Sequence, residues 1–172
     1  MDVLSIIEKQ SKIVADFFQE ELKKELEAQG HRDTGNLIDS INYEILIDSQ
    51  EVNIVFSYLF YGDIVNDGVP AANIPFTPPS GRGGTSKYIE ALKNWARRRG
   101  FKKPLSAAFA IAAKHKKEGM PTKNSYQFSN NGRRKYWKSF TLETYLPQSL
   151  EIFASADLNE LIGIILRQGE DL

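Results

Sequence analysis

The first 29 residues carry apolar side chains at a spacing close to the 3.6-residue period of an α-helix. These apolar positions are Val3, Leu4, Ile6, Ile7, Ile13, Val14, Phe17, Phe18, Leu22 and Leu26. Because residues three and four apart share one side of a helix, the spacing predicts a long amphipathic helix over residues 2–29. Gly30 is suited to ending that helix, since glycine readily adopts the left-handed conformation. We expect the apolar side to pack on its own domain or against a neighbouring subunit.

The next segments change from helical spacing to the composition of β-strands. One helical turn is predicted around residues 37–41, with Thr34 capping its start. Residues 43–47 and 52–60 are rich in β-branched and aromatic side chains, and the residues between them are polar. This arrangement predicts an antiparallel hairpin of two strands.

Two stretches with little periodicity are predicted to be long loops. Residues 69–86 hold four of the seven prolines, and residues 119–135 contain Pro121 and the turn-forming residues 130–132. Long loops in compact domains usually carry interactions. We therefore expect the first loop to be an interaction loop or a segment that a partner orders, and the second to be exposed.

Helical periodicity returns over residues 86–99 and 104–119, and the short connection predicts that these two helices pack as a hairpin or corner. A C-terminal helix is predicted from Leu142, with apolar positions continuing to Ile165. A chain of 172 residues is long enough for one domain with a hydrophobic core. The predicted fold class is α+β, with a long N-terminal helix, a small antiparallel sheet, a central helix pair and a C-terminal helix, in one domain over residues 1–172.

Charge is strongly segregated along the chain although the net charge is zero. Residues 82–138 hold 16 basic and 2 acidic side chains, whereas residues 1–81 hold 5 basic and 14 acidic ones. Such segregation indicates a charged partner. Three interpretations of the basic region remain open: it faces an acidic protein surface, it lies near DNA, or it is only solvated. The candidate interaction residues are Arg82, Arg97, Arg98, Arg99, Lys102, Lys103, Lys114, Lys116, Lys117, Arg133, Arg134, Lys135 and Lys138.

Candidate chemistry is sparse. The chain has no cysteine and only two histidines, His31 and His115, far apart in sequence, so neither thiolate chemistry nor a histidine-based metal cluster is expected. The nucleophile motif GxSxG and the phosphate-loop spacing GxxxxGK are absent. The helix pair has the connectivity of a helix-turn-helix, but its second helix is too small and apolar to read bases. We predict no catalytic residue, no cofactor and no metal site, and we keep a hydrolase only as the last hypothesis.

The sequence also lacks the features of a membrane protein or a secreted one. It has no run of about 18 apolar residues, and its N-terminal residues lack a basic leader followed by an apolar stretch. The prediction is a protein that acts inside a cell without a membrane partner.

Several short motifs resemble the tail-completion, or head-tail joining, proteins of long-tailed double-stranded DNA bacteriophages. The segment DTGNLIDSI at residues 33–41 resembles their T-G-x-L-x-x-S-I segment, and residues 61–68 are similar to a strand end in that family. Three further segments resemble motifs of one branch of this family and occur in the same order. They are the glycine-rich residues 81–84, the helix around Trp95 and residues 108–121. The resemblance covers about residues 30–121, and its structural positions are Thr34, Gly35, Leu37, Ser40, Ile41, Gly68, Trp95 and Gly119.

This resemblance implies a structural protein of the phage neck or tail, assembled in the host cytoplasm. Its subunits would form a homo-oligomeric ring between portal-side or adaptor-side proteins and tail-side proteins of the virion. Double-stranded DNA would pass through the ring without sequence-specific binding, so we expect the basic residues to meet protein rather than to line the channel. The alternative is a DNA-binding module that uses the basic region 82–138.

Overall fold

The computed structural model describes residues 3–48, 51–77 and 86–155 and has the predicted α+β fold. Its helices and strands are α1 (Val3–Ala28), α2 (Asn36–Asp39), β1 (Asn42–Ile47), β2 (Val52–Ser57), α3 (Tyr61–Asp67), α4 (Lys87–Arg98), α5 (Pro104–Glu118) and α6 (Trp137–Ser155). Short 3-10 helices lie at Ala71–Asn73 and Lys123–Phe128. The long N-terminal helix, the two-stranded antiparallel sheet, the central helix pair and the C-terminal helix confirm the predicted fold class.

The chain groups into two compact units. The first contains Met1–Glu27, Thr34–Phe60 and Tyr136–Leu172, and the second contains Ala28–Asp33 and Tyr61–Lys135. The single domain over residues 1–172 stays a prediction.

The first unit has its core beneath the apolar side of α1. The buried side chains include Ile6, Val14, Phe18, Leu22, Leu26, Leu37, Ile38, Ile41 and Trp137. The Phe18 ring meets the edge of Phe56 in β2, with their centroids 6.4 Å apart. The Gln19 amide donates to the Ile41 carbonyl at 2.8 Å, which ties the helix to the segment before β1. The amphipathic pattern of the sequence therefore predicted this helix and its buried side.

Helix α2 begins one residue before the predicted turn. Its N-cap is Gly35, which has φ 90°, and the predicted cap Thr34 accepts a hydrogen bond of 3.4 Å from the N–H of Asn36, the first helical residue. The left-handed backbone at Gly35 turns the chain into the helix. The Ser40 hydroxyl donates to the Leu37 carbonyl at 2.8 Å and accepts from the Leu59 N–H at 3.0 Å, so it joins α2 to the end of the hairpin.

The hairpin pairs β1 and β2 in antiparallel register, with Ile45 opposite Ile54. Strand β2 ends at Ser57, before the predicted end at residue 60. Residues 61–68 do not form the strand end that the resemblance implied, because Tyr61–Asp67 is helix α3. Gly68 has φ 75° and its N–H binds the Ile64 carbonyl at 2.9 Å, which is the usual way for a glycine to end a helix.

The second unit is built around the helix pair α4 and α5. The Ser86 hydroxyl caps α4 by accepting from the Ile89 N–H at 3.3 Å, and Gly100, with φ 77°, follows the end of that helix. Pro104 begins α5, where its missing N–H is not needed. The core of this unit is formed by Ile74, Phe76, Ile89, Ala108 and Ala112.

Parts of both predicted loops pack into the second unit. Residues 69–77 supply two of its core side chains, Ile74 and Phe76. The Asn130 N–H binds the Ala28 carbonyl at 2.7 Å, which anchors the stretch that follows the 3-10 helix Lys123–Phe128. The described parts of these stretches are therefore not free arms. Residues 78–85, with the glycine-rich motif, lie outside the described residues.

Helix α6 begins at Trp137, five residues before the predicted start at Leu142. The reason is the Trp137 side chain, which is fully buried and meets the Tyr58 ring at a centroid distance of 5.4 Å. The predicted apolar positions beyond Ser155, including Ile165, lie outside the described residues.

Candidate functional site

The second unit contains a pocket of about 430 Å³. Most of its lining is apolar, and the polar part includes both histidines of the chain and one arginine. The lining residues are His31, Ile64, Val65, Gly68, Val69, Leu92, Trp95, Ile111, His115, Met120, Pro121, Thr122, Asn124, Ser125, Phe128 and Arg134. Its size and mixture of apolar walls with a few polar groups are typical of small-molecule sites.

Two glycines allow one wall of this pocket to form. Val69 and Met120 exchange two backbone hydrogen bonds of 2.7 and 2.8 Å in an isolated antiparallel bridge. Gly68 and Gly119 precede these residues with φ 75° and 81°. A Cβ atom on Gly68 would collide with the Met120 carbonyl oxygen, and one on Gly119 would lie 2.6 Å from the Val69 carbonyl oxygen. Both motif glycines are therefore required by close backbone approach.

His115 is held by a short hydrogen bond inside the second unit. Its Nδ1 atom lies 2.6 Å from the Tyr88 hydroxyl oxygen. Burial lowers the pKa of His115 and raises the pKa of Tyr88, so both groups are neutral near pH 7. We assign the hydroxyl as the donor because a phenol is a stronger acid than a neutral imidazole. The imidazole proton is then on Nε2, which makes that atom a donor.

Arg134 is the one cation among the described pocket residues. One terminal nitrogen, Nη1, donates to the carbonyl of Gln29 at 2.9 Å and to that of Gly30 at 3.3 Å. Its Nε atom is buried and has no hydrogen-bond partner in the described part of the chain. Burial lowers the pKa of Arg134, but a guanidinium remains charged at all ordinary pH values. The arginine therefore brings a positive charge to a largely apolar pocket.

The buried His115 predicts a loss of stability in mild acid. Its pKa is lowered in the folded chain, so the unfolded chain binds a proton more readily as the pH falls below about 6.5. Stability contributed by neutral His115 is present above that pH and declines below it. We expect the urea midpoint of the wild type to be lower at about pH 5.5 than at about pH 7.5, and His115→Gln to reduce this difference. An unchanged difference in His115→Gln would contradict the assignment.

Several predicted interaction residues bind their own chain instead of forming an open basic surface. Arg98 forms an ion pair with Asp33. Arg99 lies 5.6 Å above the Trp95 ring and donates to the Arg32 carbonyl at 3.4 Å. The last turn of a helix also favours positive charge, which explains part of this cluster without a ligand.

Lysines at the end of α5 and at the start of α6 also bind their own chain. Lys116 donates to the carbonyls of Ala72 and Ile74 at 3.3 and 3.1 Å, and so holds the segment that supplies the core. Lys114 forms an ion pair with Glu118 at 2.5 Å. Lys138 donates to the Tyr58 hydroxyl at 2.8 Å in the first unit. These lysines stabilise the fold locally.

The remaining predicted interaction residues fall into four groups. Lys102, Lys103 and Lys117 are exposed and make no hydrogen bond or ion pair within residues 86–155 or the other described ranges. Arg97 is exposed and donates to the Asn94 side chain at 3.2 Å. Arg133 and Lys135 are half-buried. Arg82 lies outside the described residues.

Helix α6 exposes an apolar row. Leu142, Leu146, Leu150 and Phe153 are between 42% and 60% exposed. The inward side includes Thr141 and Ser149, which are buried and whose hydroxyls donate to carbonyls of the same helix at 2.7 and 2.8 Å. The helix thus presents its most apolar row to solvent, which is unusual for a helix on the surface of a monomeric protein.

Neither a metal centre nor a membrane span is visible in the described part of the chain. No group of three or more metal-ligating side chains comes together there. None of its helices is both long and apolar enough to cross a membrane. Comparisons with protein-family models, with curated proteins and with solved structures found no match.

Sequence reasoning missed the pocket because its polar residues come from distant parts of the chain. His31, His115 and Arg134 share no local motif. The available signals were Gly68 and Gly119, which mark a backbone crossing, but a glycine in sequence does not reveal what approaches it.

Proposed function

We propose that this chain is a structural subunit of a phage head-tail junction and that its copies assemble into a ring. The observation that carries the proposal is the exposed apolar row of α6, formed by Leu142, Leu146, Leu150 and Phe153. Burying an apolar row of this length against another subunit is favourable, because each square ångström removed from water contributes about 25 cal/mol. Exposed apolar rows of this kind are typical of subunit interfaces and are uncommon on monomeric proteins.

The residues that carry the family resemblance also support a structural role. Leu37 and Ile41 are buried, Ser40 joins α2 to the hairpin end, and Gly68 and Gly119 flank a backbone bridge. Each of these residues serves the fold rather than a reaction. That pattern favours a structural subunit over the hydrolase hypothesis.

The charge pattern fits docking between protein surfaces better than binding of DNA. Many of the predicted interaction residues already bind their own chain, and among the described ones only Lys102, Lys103 and Lys117 are exposed without an intrachain hydrogen bond or ion pair. A DNA-binding face needs many free cations, since its affinity comes from neutralising phosphates. A few exposed cations at the two ends of α5 are sufficient to orient an acidic surface of the next subunit.

The native mass of the purified chain tests the proposal. We expect a closed oligomer whose mass is a multiple of 19.5 kDa. The double variant Leu146→Glu/Leu150→Glu should dissociate to the monomer with unchanged helical content, since two charged carboxylates cannot be buried in an apolar contact. Static light scattering after size exclusion measures the mass, and circular dichroism measures the helical content.

A matched control separates the apolar row from added charge. Thr144→Glu/Gln148→Glu places the same two charges four residues apart at exposed positions of the same helix, and this variant should keep the wild-type mass. A wild-type chain that stays monomeric and is also absent from purified phage particles would refute the ring.

The DNA-binding alternative is tested by titration against salt. A neck subunit should bind duplex DNA weakly at physiological salt. A DNA-binding module should bind tightly at low salt and lose affinity by roughly a thousandfold or more between 50 and 200 mM salt if it contacts about six phosphates. The steep loss would favour the alternative.

A further inference from the structure

We propose that the pocket of the second unit binds a small molecule with an apolar body and a carboxylate group. The pocket measures about 430 Å³, which lies within the range of roughly 300 to 1,000 Å³ of known ligand pockets. This inference does not depend on the proposed ring, because all the residues that line the pocket belong to the second unit of one chain.

The apolar part of the ligand follows from the pocket walls. Leu92 and Trp95 come from α4, Ile111 comes from α5, and Val69 and Met120 come from the backbone bridge. An aliphatic chain or an aromatic ring that fills this space removes its own surface and that of the walls from water. The bridge holds Val69 and Met120 in place, so little ordering is needed on binding.

The charge of the ligand follows from Arg134. Its guanidinium is half-buried, one nitrogen holds the Gln29 and Gly30 carbonyls, and the buried Nε has no partner among the described residues. No acidic side chain is found among the described residues that line the pocket. A carboxylate suits this setting better than a neutral group because hydrogen bonds between a guanidinium and a carboxylate are charge-assisted.

His115 adds a second polar group to the same pocket. With the Tyr88 hydroxyl donating to Nδ1, the neutral imidazole carries its proton on Nε2. A donor of this kind suits an acceptor group on the ligand and offers nothing to an ammonium group. Arg134 and His115 together therefore favour an anion over a cation in this pocket.

Paired ligands test the proposal directly. Octanoate and 4-phenylbutyrate carry the carboxylate, and octanamide and 4-phenylbutanamide are neutral ligands of almost the same shape. We expect the acids to bind with a Kd of about 1 mM or below, and the amides roughly tenfold more weakly. Titration of the full chain by NMR should move the methyl signals of Leu92, Ile111 and Met120 first. Equal binding of acids and amides, or the absence of binding at about 10 mM, would overturn the proposal.

Two substitutions in one 3-10 helix locate the binding. Asn124 is exposed and lines the pocket, whereas Gln127 is exposed in the same helix and does not line it. Asn124→Trp should fill the pocket mouth and weaken binding of octanoate at least tenfold, while Gln127→Trp should leave it unchanged. If both variants bind octanoate as the wild type does, the acid binds elsewhere and the assignment fails.

The role of Arg134 is tested by removing its charge. Arg134→Gln should abolish the preference for octanoate over octanamide, and a retained preference would refute the role of the arginine. Arg134 also holds two backbone carbonyls, so the fold of this variant is checked by its NMR spectrum. Where it does not fold, the Asn124→Trp and Gln127→Trp pair still decides the proposal.

Discussion

Gly68→Ala is expected to lower the free energy of unfolding by about 2–5 kcal/mol. Two costs add at this position. A left-handed backbone costs a residue with a Cβ atom about 1–2 kcal/mol, and Gly68 has φ 75°. The new methyl group would also collide with the Met120 carbonyl oxygen, which is fixed by its hydrogen bond to Val69, so relief of the overlap costs about 1–3 kcal/mol more. Urea unfolding followed by far-ultraviolet circular dichroism measures the change.

Gly100→Ala separates the two costs. Gly100 has a similar φ of 77°, but no atom lies within 4 Å of the position that its Cβ would occupy. The free energy of unfolding of this control should fall by only about 1–2 kcal/mol. Equal losses of unfolding free energy in Gly68→Ala and Gly100→Ala would show that the bridge between Val69 and Met120 moves to accommodate the added methyl group. The pocket wall would then be more mobile than its geometry indicates.

Gly68 also shows how much of the structure can be predicted from the sequence. The motif identified Gly68 as a structural position, yet the segment before it was predicted to end a strand and is helix α3. Composition favoured the strand, because Tyr61 is aromatic and Ile64 and Val65 are β-branched. The choice is made by tertiary contacts, since a glycine that ends a helix also allows the close crossing at Met120.

Long elements were predicted well because their periodicity extends over many residues. Helix α1 lies within one residue of its predicted bounds, and α4 and α5 begin and end where Ser86, Pro104 and Gly119 signal caps. The pocket could not be predicted, because it depends on contacts between residues far apart in the chain. Arg134 illustrates the limit, since the sequence offered it as a surface cation and the structure places it half-buried against the carbonyls of Gln29 and Gly30.

Trp137→Ala is expected to destabilise the chain by about 3–5 kcal/mol, the usual cost of removing a large buried aromatic side chain. Trp137 is fully buried in the first unit and packs edge to face against Tyr58. This burial was not predicted, because Trp137 follows the segment 119–135, which the sequence predicts to be an exposed loop. Its removal leaves a cavity, and Tyr58 also loses the ring that positions its hydroxyl for the bond from Lys138.

Leu150→Ala is the matched control, since it removes apolar atoms from the same helix at a position that is 60% exposed. The free energy of unfolding of the monomer should fall by less than about 0.5 kcal/mol, because little buried surface is removed and alanine favours the helix. Urea unfolding of both variants at a protein concentration below that of assembly gives the comparison. If Trp137→Ala were as stable as Leu150→Ala, the side chain of Trp137 would not be the anchor that starts α6 before Leu142. A loss in Leu150→Ala that appears only at concentrations where the chain assembles would instead place Leu150 in the subunit contact.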